Sequence, residues 1–183
     1  MRTFTIGAGK LTLERGDITR LGRSVGAIVN AANESLMAGG GVCGAIHRAG
    51  GRAVTVACYA IGHCETGSAV ATTAGLLDAD AVIHAVGPVW YGGDHDEDQL
   101  LASAYASSLV VAEERGLTSI AFPSISTGIY GFPIERAAEI AVATVAERLA
   151  GGSSIEEAIF VLFADEDYAV YEFAAEQWVA VYA

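Results

Sequence analysis

Four apolar runs constrain what this chain can fold into: GAIVNAAN from Gly26, DAVIHAVGP from Asp80, TSIAFPSI from Thr118 and EEAIFVLF from Glu156. Each is short, rich in β-branched or aromatic residues, and apolar at consecutive positions. A strand that reads apolar on both faces is buried on both, as in a sheet covered by helices. Helical patterns lie between the runs. LLASAYASSLVVAEERG places Leu101, Tyr105, Leu109 and Ala112 on one face and stops at Gly116. Ile134, Ala138, Ala141, Val145 and Leu149 repeat at helical spacing, with Pro133 in the expected first turn and Gly151-Gly152 as the end. GVCGAIHRAGGRAVTVACYA is helical in pattern, with a break point at Gly50-Gly51. FTIG and KLTLERGD read as a hairpin about Gly7-Ala8-Gly9, and SAVATTAG alternates like another strand. GGDHDEDQ reads as a polar loop before a helix, ADEDY as an acidic cap after the last strand, and YAVYEFAAEQWVAVYA as a terminal amphipathic helix. The expectation is an α/β protein, a three-layer α/β/α sandwich around a central mixed sheet. A length of 183 residues suits one domain, taken as 1–183.

Composition narrows the function. The net charge is −12, which argues against a nucleic-acid backbone as partner. Residues 1–60 carry seven Lys/Arg against three Asp/Glu, and residues 61–183 carry three against nineteen. An anionic ligand must then be held mainly by backbone N–H groups. Cys43, Cys58 and Cys64 form no CxxC pair, and the four histidines show no metal-ligand spacing, so no metal and no disulfide framework is expected. VTVACYAI, the longest apolar stretch, is far short of the roughly 20 residues that span a bilayer. Without a signal or lipidation pattern the expected place is the cytoplasm, and the alanine-rich, lysine-poor composition points to a bacterial source. A compact domain of this size is expected to be a monomer.

In open α/β sheets ligands bind beyond the carboxyl ends of the strands. Two glycine-bearing loops leave strands there, AANESLMAGGGV after Val29 and SISTGIYGFP after Phe122. Gly39-Gly40-Gly41 runs into a helix, whose first N–H groups are unpaired and carry partial positive charge, a setting that binds phosphate. Ser126 to Gly131 offers further N–H donors and hydroxyls. Two such loops facing each other would hold a diphosphate from both sides. Neither is a P-loop, since GxxxxGK[ST] is absent.

Gly16-Asp17-Ile18-Thr19, AIVNAAN, GGGVCGAIHRAGG, HAVGPVW and PSISTGIYGFP occur in the order and spacing of the macrodomain, and the chain resembles its MacroD-type branch from about Leu11 onward. The resemblance implies binding of ADP-ribose, with no cofactor. It also implies an enzyme that removes ADP-ribose from mono-ADP-ribosylated proteins, at ester-linked Glu or Asp, with O-acetyl-ADP-ribose as a further substrate. By motif match Asp17 accepts from the adenine amino group and Ile18 supplies a backbone N–H. Asn33 holds the distal ribose, while Asn30 braces the loop backbone. Gly40, Gly41 and Val42 lie along the diphosphate; Ser126, Thr127, Gly128, Ile129 and Tyr130 form the second phosphate loop. Tyr130 covers the distal ribose. Phe163 or Tyr168 stacks on adenine, and core packing explains Phe163 equally well.

One position departs from the pattern. The MacroD-type aspartate directly after GGGV, expected to help orient the attacking water, is here Cys43. Three readings follow. Cys43 is inert pocket lining in a working hydrolase; or the chain binds ADP-ribose but turns over slowly or not at all, in the limit a non-catalytic reader; or Cys43 is a nucleophile paired with His47 four residues on. A sugar-phosphate or nucleotide phosphatase ranks below these, since no metal-binding carboxylates are evident.

Overall fold

The computed structural model describes residues 1–182, so Ala183, the end of the expected terminal helix, lies outside the described residues. In chain order the elements are β1 (Arg2–Ile6), β2 (Gly9–Arg15), β3 (Val25–Ala32), α1 (Gly41–Gly50), α2 (Arg52–Ile61), β4 (Ala69–Thr73), β5 (Ala79–Val86), α3 (Glu97–Glu114), β6 (Ser119–Phe122), α4 (Ile134–Ala150), β7 (Glu157–Leu162) and α5 (Asp165–Tyr182). The seven strands form one sheet in the order β1-β2-β7-β6-β3-β5-β4. β2, β7, β6, β3 and β5 run parallel, and β1 and β4 close the edges antiparallel. Both faces are covered, as the apolar runs require. Leu101, Tyr105 and Leu109 of α3, Ala141 and Val145 of α4, and Tyr171 and Trp178 of α5 pack on Leu13, Val29, Phe122 and Phe160. Ile46 of α1 packs on Ile28, Val82 and Ile159, and Val54 and Cys58 of α2 pack near Ala32 and Val86. The sandwich therefore has three layers.

The helical run after Gly41 breaks at Gly50-Gly51 into two helices, because the Gly51 N–H closes α1 on the His47 carbonyl at 3.0 Å. Two local expectations shift. Pro133 caps α4 rather than entering it. The two acidic segments are not free loops. Glu97 and Asp98 form the first turn of α3, and Asp165, Glu166 and Asp167 the first turn of α5, where negative charge meets the positive end of the helix dipole. Among the described residues no helix is long and apolar enough to cross a membrane.

The core holds an aromatic stack of Tyr105, Phe122, Phe160 and Tyr171, with neighbouring ring centroids 5.0–5.7 Å apart. Burial pushes the Tyr171 hydroxyl up to about 12 and raises that of Tyr105 as well. An unfolded tyrosine ionises near pH ~10. Above that pH the unfolded chain sheds protons that the folded chain keeps. Stability is thus whole below about pH 10 and falls as pH rises toward about 12. Urea unfolding at about pH 8 and about pH 11 is expected to give a lower midpoint at the higher pH, with a smaller gap in Tyr171→Phe.

Candidate functional site

All five parallel strands deliver residues from their carboxyl ends into one cleft of about 670 Å³. Gly16, Asp17 and Ile18 follow β2; Leu162 ends β7 and Phe163 follows it; Pro123 to Tyr130 follow β6; Asn33 and Gly39 to Cys43 follow β3; Gly87 follows β5. Every site residue expected from the sequence lines it: Asp17, Ile18, Asn33, Gly40, Gly41, Val42, Cys43, Ser126, Thr127, Gly128, Ile129, Tyr130 and Phe163. The lining contains no lysine or arginine, and its charged side chains are Asp17 and Asp167.

At one end, Asp17 Oδ1 accepts from the Thr19 hydroxyl at 2.7 Å and the Thr19 N–H at 2.9 Å. The hydroxyl, then the N–H, holds the carboxyl below the usual aspartate value. Oδ2 has no partner among the described residues, which leaves it available as an acceptor toward the cleft. Phe163 is 79% exposed. Core packing, which explained it equally well from the sequence, is excluded, and it stands beside Gly16 and Asp17 as a free aromatic face. Tyr168 packs against the core and does not line the cleft.

In the middle, α1 begins without a side-chain cap and without an acidic residue in its first turn. Its first N–H groups are therefore unneutralised where Gly41, Val42 and Cys43 border the cleft. The second loop faces it. A Cβ on Gly40 would stand 2.9 Å from the Ile129 Cδ1, so the two loops nearly meet across the cleft.

The second loop is pinned from below. The Ile125 N–H donates to the Tyr105 hydroxyl at 3.0 Å, and that hydroxyl donates to the Pro123 carbonyl at 3.3 Å. The Tyr171 hydroxyl donates to Ser124 Oγ at 2.9 Å, and Thr127 donates to the same oxygen at 2.9 Å. Ser126 is held at φ 67°, a left-handed conformation that strains a residue with a side chain. Its hydroxyl is buried without a partner and presses on Gly87: a Cβ there would lie 2.2 Å from Ser126 Oγ and 2.4 Å from Ile125 Cγ2. Gly87 is glycine because the loop occupies the space of a side chain.

At the far end, Asn33 braces its own loop. Its amide donates to the Met37 carbonyl at 2.9 Å, and its Oδ1 accepts from Ser35 at 2.8 Å and the Met37 N–H at 3.2 Å. One amide hydrogen remains for a ligand. The expected role of Asn30 changes here. Asn30 is fully buried, bonds His84 Nδ1 at 3.0 Å and lies 3.7 Å from Cys43 Sγ, so it does not brace the loop backbone. Asn30 and His84 meet because β3 and β5 pair them in register. Cys43 is 6% exposed and points at the Met37 carbonyl, 3.7 Å away. His47 turns elsewhere, to the Thr55 hydroxyl at 3.2 Å, and burial lowers its pKa. The cysteine–histidine pair is not assembled. Burial, then Cys43, Glu34 and Tyr91, raises the Tyr130 pKa, which keeps its hydroxyl protonated.

Sequence spacing hid one cluster. One nitrogen each of His47 and His84 and the Cys58 sulfur lie within 4.8 Å of one another, all buried. The chemistry disfavours a metal. His84 spends both nitrogens on Asn30 and on Thr72, 2.8 Å away, and burial, with His47, lowers it to about 4. Burial raises the Cys58 thiol to about 11, so the thiolate a metal needs is suppressed. His84 is tied through Asn30 to the underside of Cys43, while His47 Nε2 is buried without a partner.

The comparisons agree with this geometry. The Macro domain family model matches residues 29–141. A macro domain-containing protein of Cupriavidus necator is 58% identical over 165 residues, covering 88% of this chain and 94% of its own. A Salmonella gallinarum protein named O-acetyl-ADP-ribose deacetylase is 54% identical, covering 88% of this chain and 92% of its own. The Oceanobacillus iheyensis macrodomain, solved as a point variant with ADPR, superposes with a TM-score of 0.91 at 35% identity over 98% of both chains. The chain belongs to the macro domain family, in its MacroD-type branch.

Sequence reasoning missed Gly87, Asp167 and the two pinning tyrosines. Gly87 stood inside the quoted HAVGPVW, where a glycine ending a strand was the available signal. Tyr105 and Tyr171 gave none, since on a helix face they look like core. Gly87→Ala is expected to displace the second loop and weaken ADP-ribose binding about tenfold or more, roughly 1.4 kcal/mol, by calorimetric titration. Unchanged affinity would show that the loop does not depend on this contact.

Proposed function

We propose that this chain is one macrodomain that binds ADP-ribose and hydrolyses esters on its distal ribose. Its substrates in this reading are mono-ADP-ribose linked to Glu or Asp of proteins, and O-acetyl-ADP-ribose. The observation that carries it is the uncapped N-terminus of α1 facing the Ser126–Tyr130 loop across a cleft without cationic side chains. That arrangement suits a diphosphate held by N–H groups and a helix dipole. Asp17 Oδ2 and the Ile18 N–H then read adenine, with Phe163 stacked on it. The free Asn33 amide hydrogen reaches the distal ribose, and Tyr130 lies over it. The naming of the Salmonella relative and the ADP-ribose complexes of the Oceanobacillus iheyensis and Trypanosoma brucei macrodomains support the reading. It takes the chain as monomeric and cytoplasmic, with no metal or cofactor.

Both substrates are esters of the same sugar, so one site serves both. Water attacks the ester carbonyl or, where the carboxylate is bound to the anomeric carbon, that carbon, and either route then yields ADP-ribose and a free acid. With Cys43 where the aspartate would stand, the water is oriented by a phosphate oxygen of the ligand and by Asn33. Losing one positioned base costs ~10²–10⁴ in rate. That cost is what favours a second reading, a reader that binds ADP-ribose without turning it over.

A time course of ADP-ribose released from a glutamate-modified protein decides between them. Multiple turnovers, lost in Asn33→Ala, are expected; no release from folded protein would leave the reader. Cys43→Asp is expected to raise the rate, and Cys43→Ser to leave it within about twofold, since a thiol that only lines the cleft is replaceable. Gly41→Glu is expected to abolish binding by placing charge and bulk in the diphosphate space; normal binding would contradict the phosphate-loop assignment.

A further inference from the structure

Glu97, at the start of α3, is 1% exposed, and among the described residues no lysine or arginine comes within salt-bridge distance of it. Its charge is met by main chain instead. Oε1 accepts from the Tyr91 N–H at 3.0 Å and the Gly93 N–H at 3.1 Å, and Oε2 accepts from the His95 N–H at 2.6 Å. Burial pushes the carboxyl up, but the N–H groups of His95, Glu97 itself, Tyr91 and Gly93 outweigh it and hold the pKa down at about 2. Three amides converging on one buried charge fix the shape of the segment that carries them.

That segment closes on Trp90. A Cβ on Gly93 would stand 3.0 Å from Trp90 Cη2. The indole packs on Phe132 with centroids 4.7 Å apart and lies under the Arg136 guanidinium at 5.3 Å. Arg136 in turn holds Asp98, next to Glu97, through Nε and Nη2 at 2.8 and 2.6 Å. The Trp90 main-chain N–H then donates to the Tyr130 carbonyl at 2.9 Å. Beyond that carbonyl comes Gly131 at φ 69°, whose N–H donates to the Gly128 carbonyl at 3.0 Å. The Tyr130–Gly131 peptide is therefore held at its N–H by its own loop and at its carbonyl by Trp90, among the described residues the one main-chain bond that reaches it from the segment after β5. Neither Glu97 nor Trp90 lines the cleft.

We propose that Glu97 is a positioning residue for the hydrolytic step: it holds the Tyr91–His95 loop against Trp90, and Trp90 fixes Tyr130 over the scissile end of the cleft. The inference rests on the hydrolase reading above. Glu97 touches no substrate and acts through Tyr130, so its effect must vanish when the Tyr130 side chain is removed.

The experiment is a double-mutant cycle of Glu97→Gln and Tyr130→Ala on ester hydrolysis, with amide hydrogen exchange on the free proteins. Glu97→Gln is expected to lower kcat about tenfold with KM within about twofold, and to change kcat less than about twofold in the Tyr130→Ala background. The Trp90 N–H is expected to exchange at least about tenfold faster in Glu97→Gln, with the β6 amides unchanged. Equal losses in both backgrounds, an unchanged kcat in folded Glu97→Gln, or an unchanged Trp90 N–H would each overturn the proposal. Should Glu97→Gln not fold, Glu97→Asp, which keeps the charge but withdraws it by one methylene, carries the same cycle and the same criteria. The exchange measurement needs no substrate. A wild-type protein without turnover would thus fail the proposed function, and would not be mistaken for failure of the Glu97 link.

Discussion

The chain leaves β3 for β5 on one side of the sheet and returns to β6 on the other, and the cleft exists because of that reversal. β6 and β3 lie side by side and parallel, so their loops start as neighbours and then part. Helix α1 follows one loop and α4 the other, on opposite faces. Nothing fills the space between, which is the general reason that open α/β sheets bind ligands at such a switch point. The other parallel strands end at the same edge, and each adds a wall.

A cleft formed this way is lined by loops, and loops lose shape unless something below holds them. Here the supports are buried polar groups at the edge of an apolar core. Tyr105 and Tyr171 hold the loop after β6. Asn30, His84 and Thr72 sit under the start of α1, and Glu97 gathers the segment after β5. Their hydrogen-bond partners are main chain or neutral side chains, with no lysine or arginine in any of the three, and Asn30 Oδ1 alone among these groups is left without a partner. Buried polar groups without partners cost ~1–3 kcal/mol each, so such supports are rigid when complete and costly when one member is removed.

The same economy governs the electrostatics. A chain of net charge −12 has few cations, and it places none of them in the cleft lining. Attraction for an anion comes from orphan amides at the start of α1 and along the second loop, which need glycines for close approach rather than side chains for charge. Its two lining carboxylates, Asp17 and Asp167, stand apart from that helix terminus, in segments that follow β2 and β7. Cys43, at the terminus itself, adds no carboxylate beside the amides.

The sequence by itself determined the layers, the mixed sheet and the two glycine-bearing loops, and its resemblance to the macrodomain motifs picked out thirteen of the residues that line the cleft. Buried parallel strands write continuous apolar runs, and phosphate-binding backbone writes glycine at strand ends, so both are local signals. The helix starts at Ile134 and Asp165 were displaced by one to three residues from expectation, because capping depends on packing that adjacent residues do not reveal. Only the tertiary structure decided what Asn30 holds. Asn30 and Asn33 lie three apart in one motif, and strand pairing with His84 buried the first. The tertiary structure also separated Cys43 from His47, brought His47, Cys58 and His84 together, and buried Glu97. These contacts join residues from different elements, and sequence spacing carries no information about a distance that the fold closes.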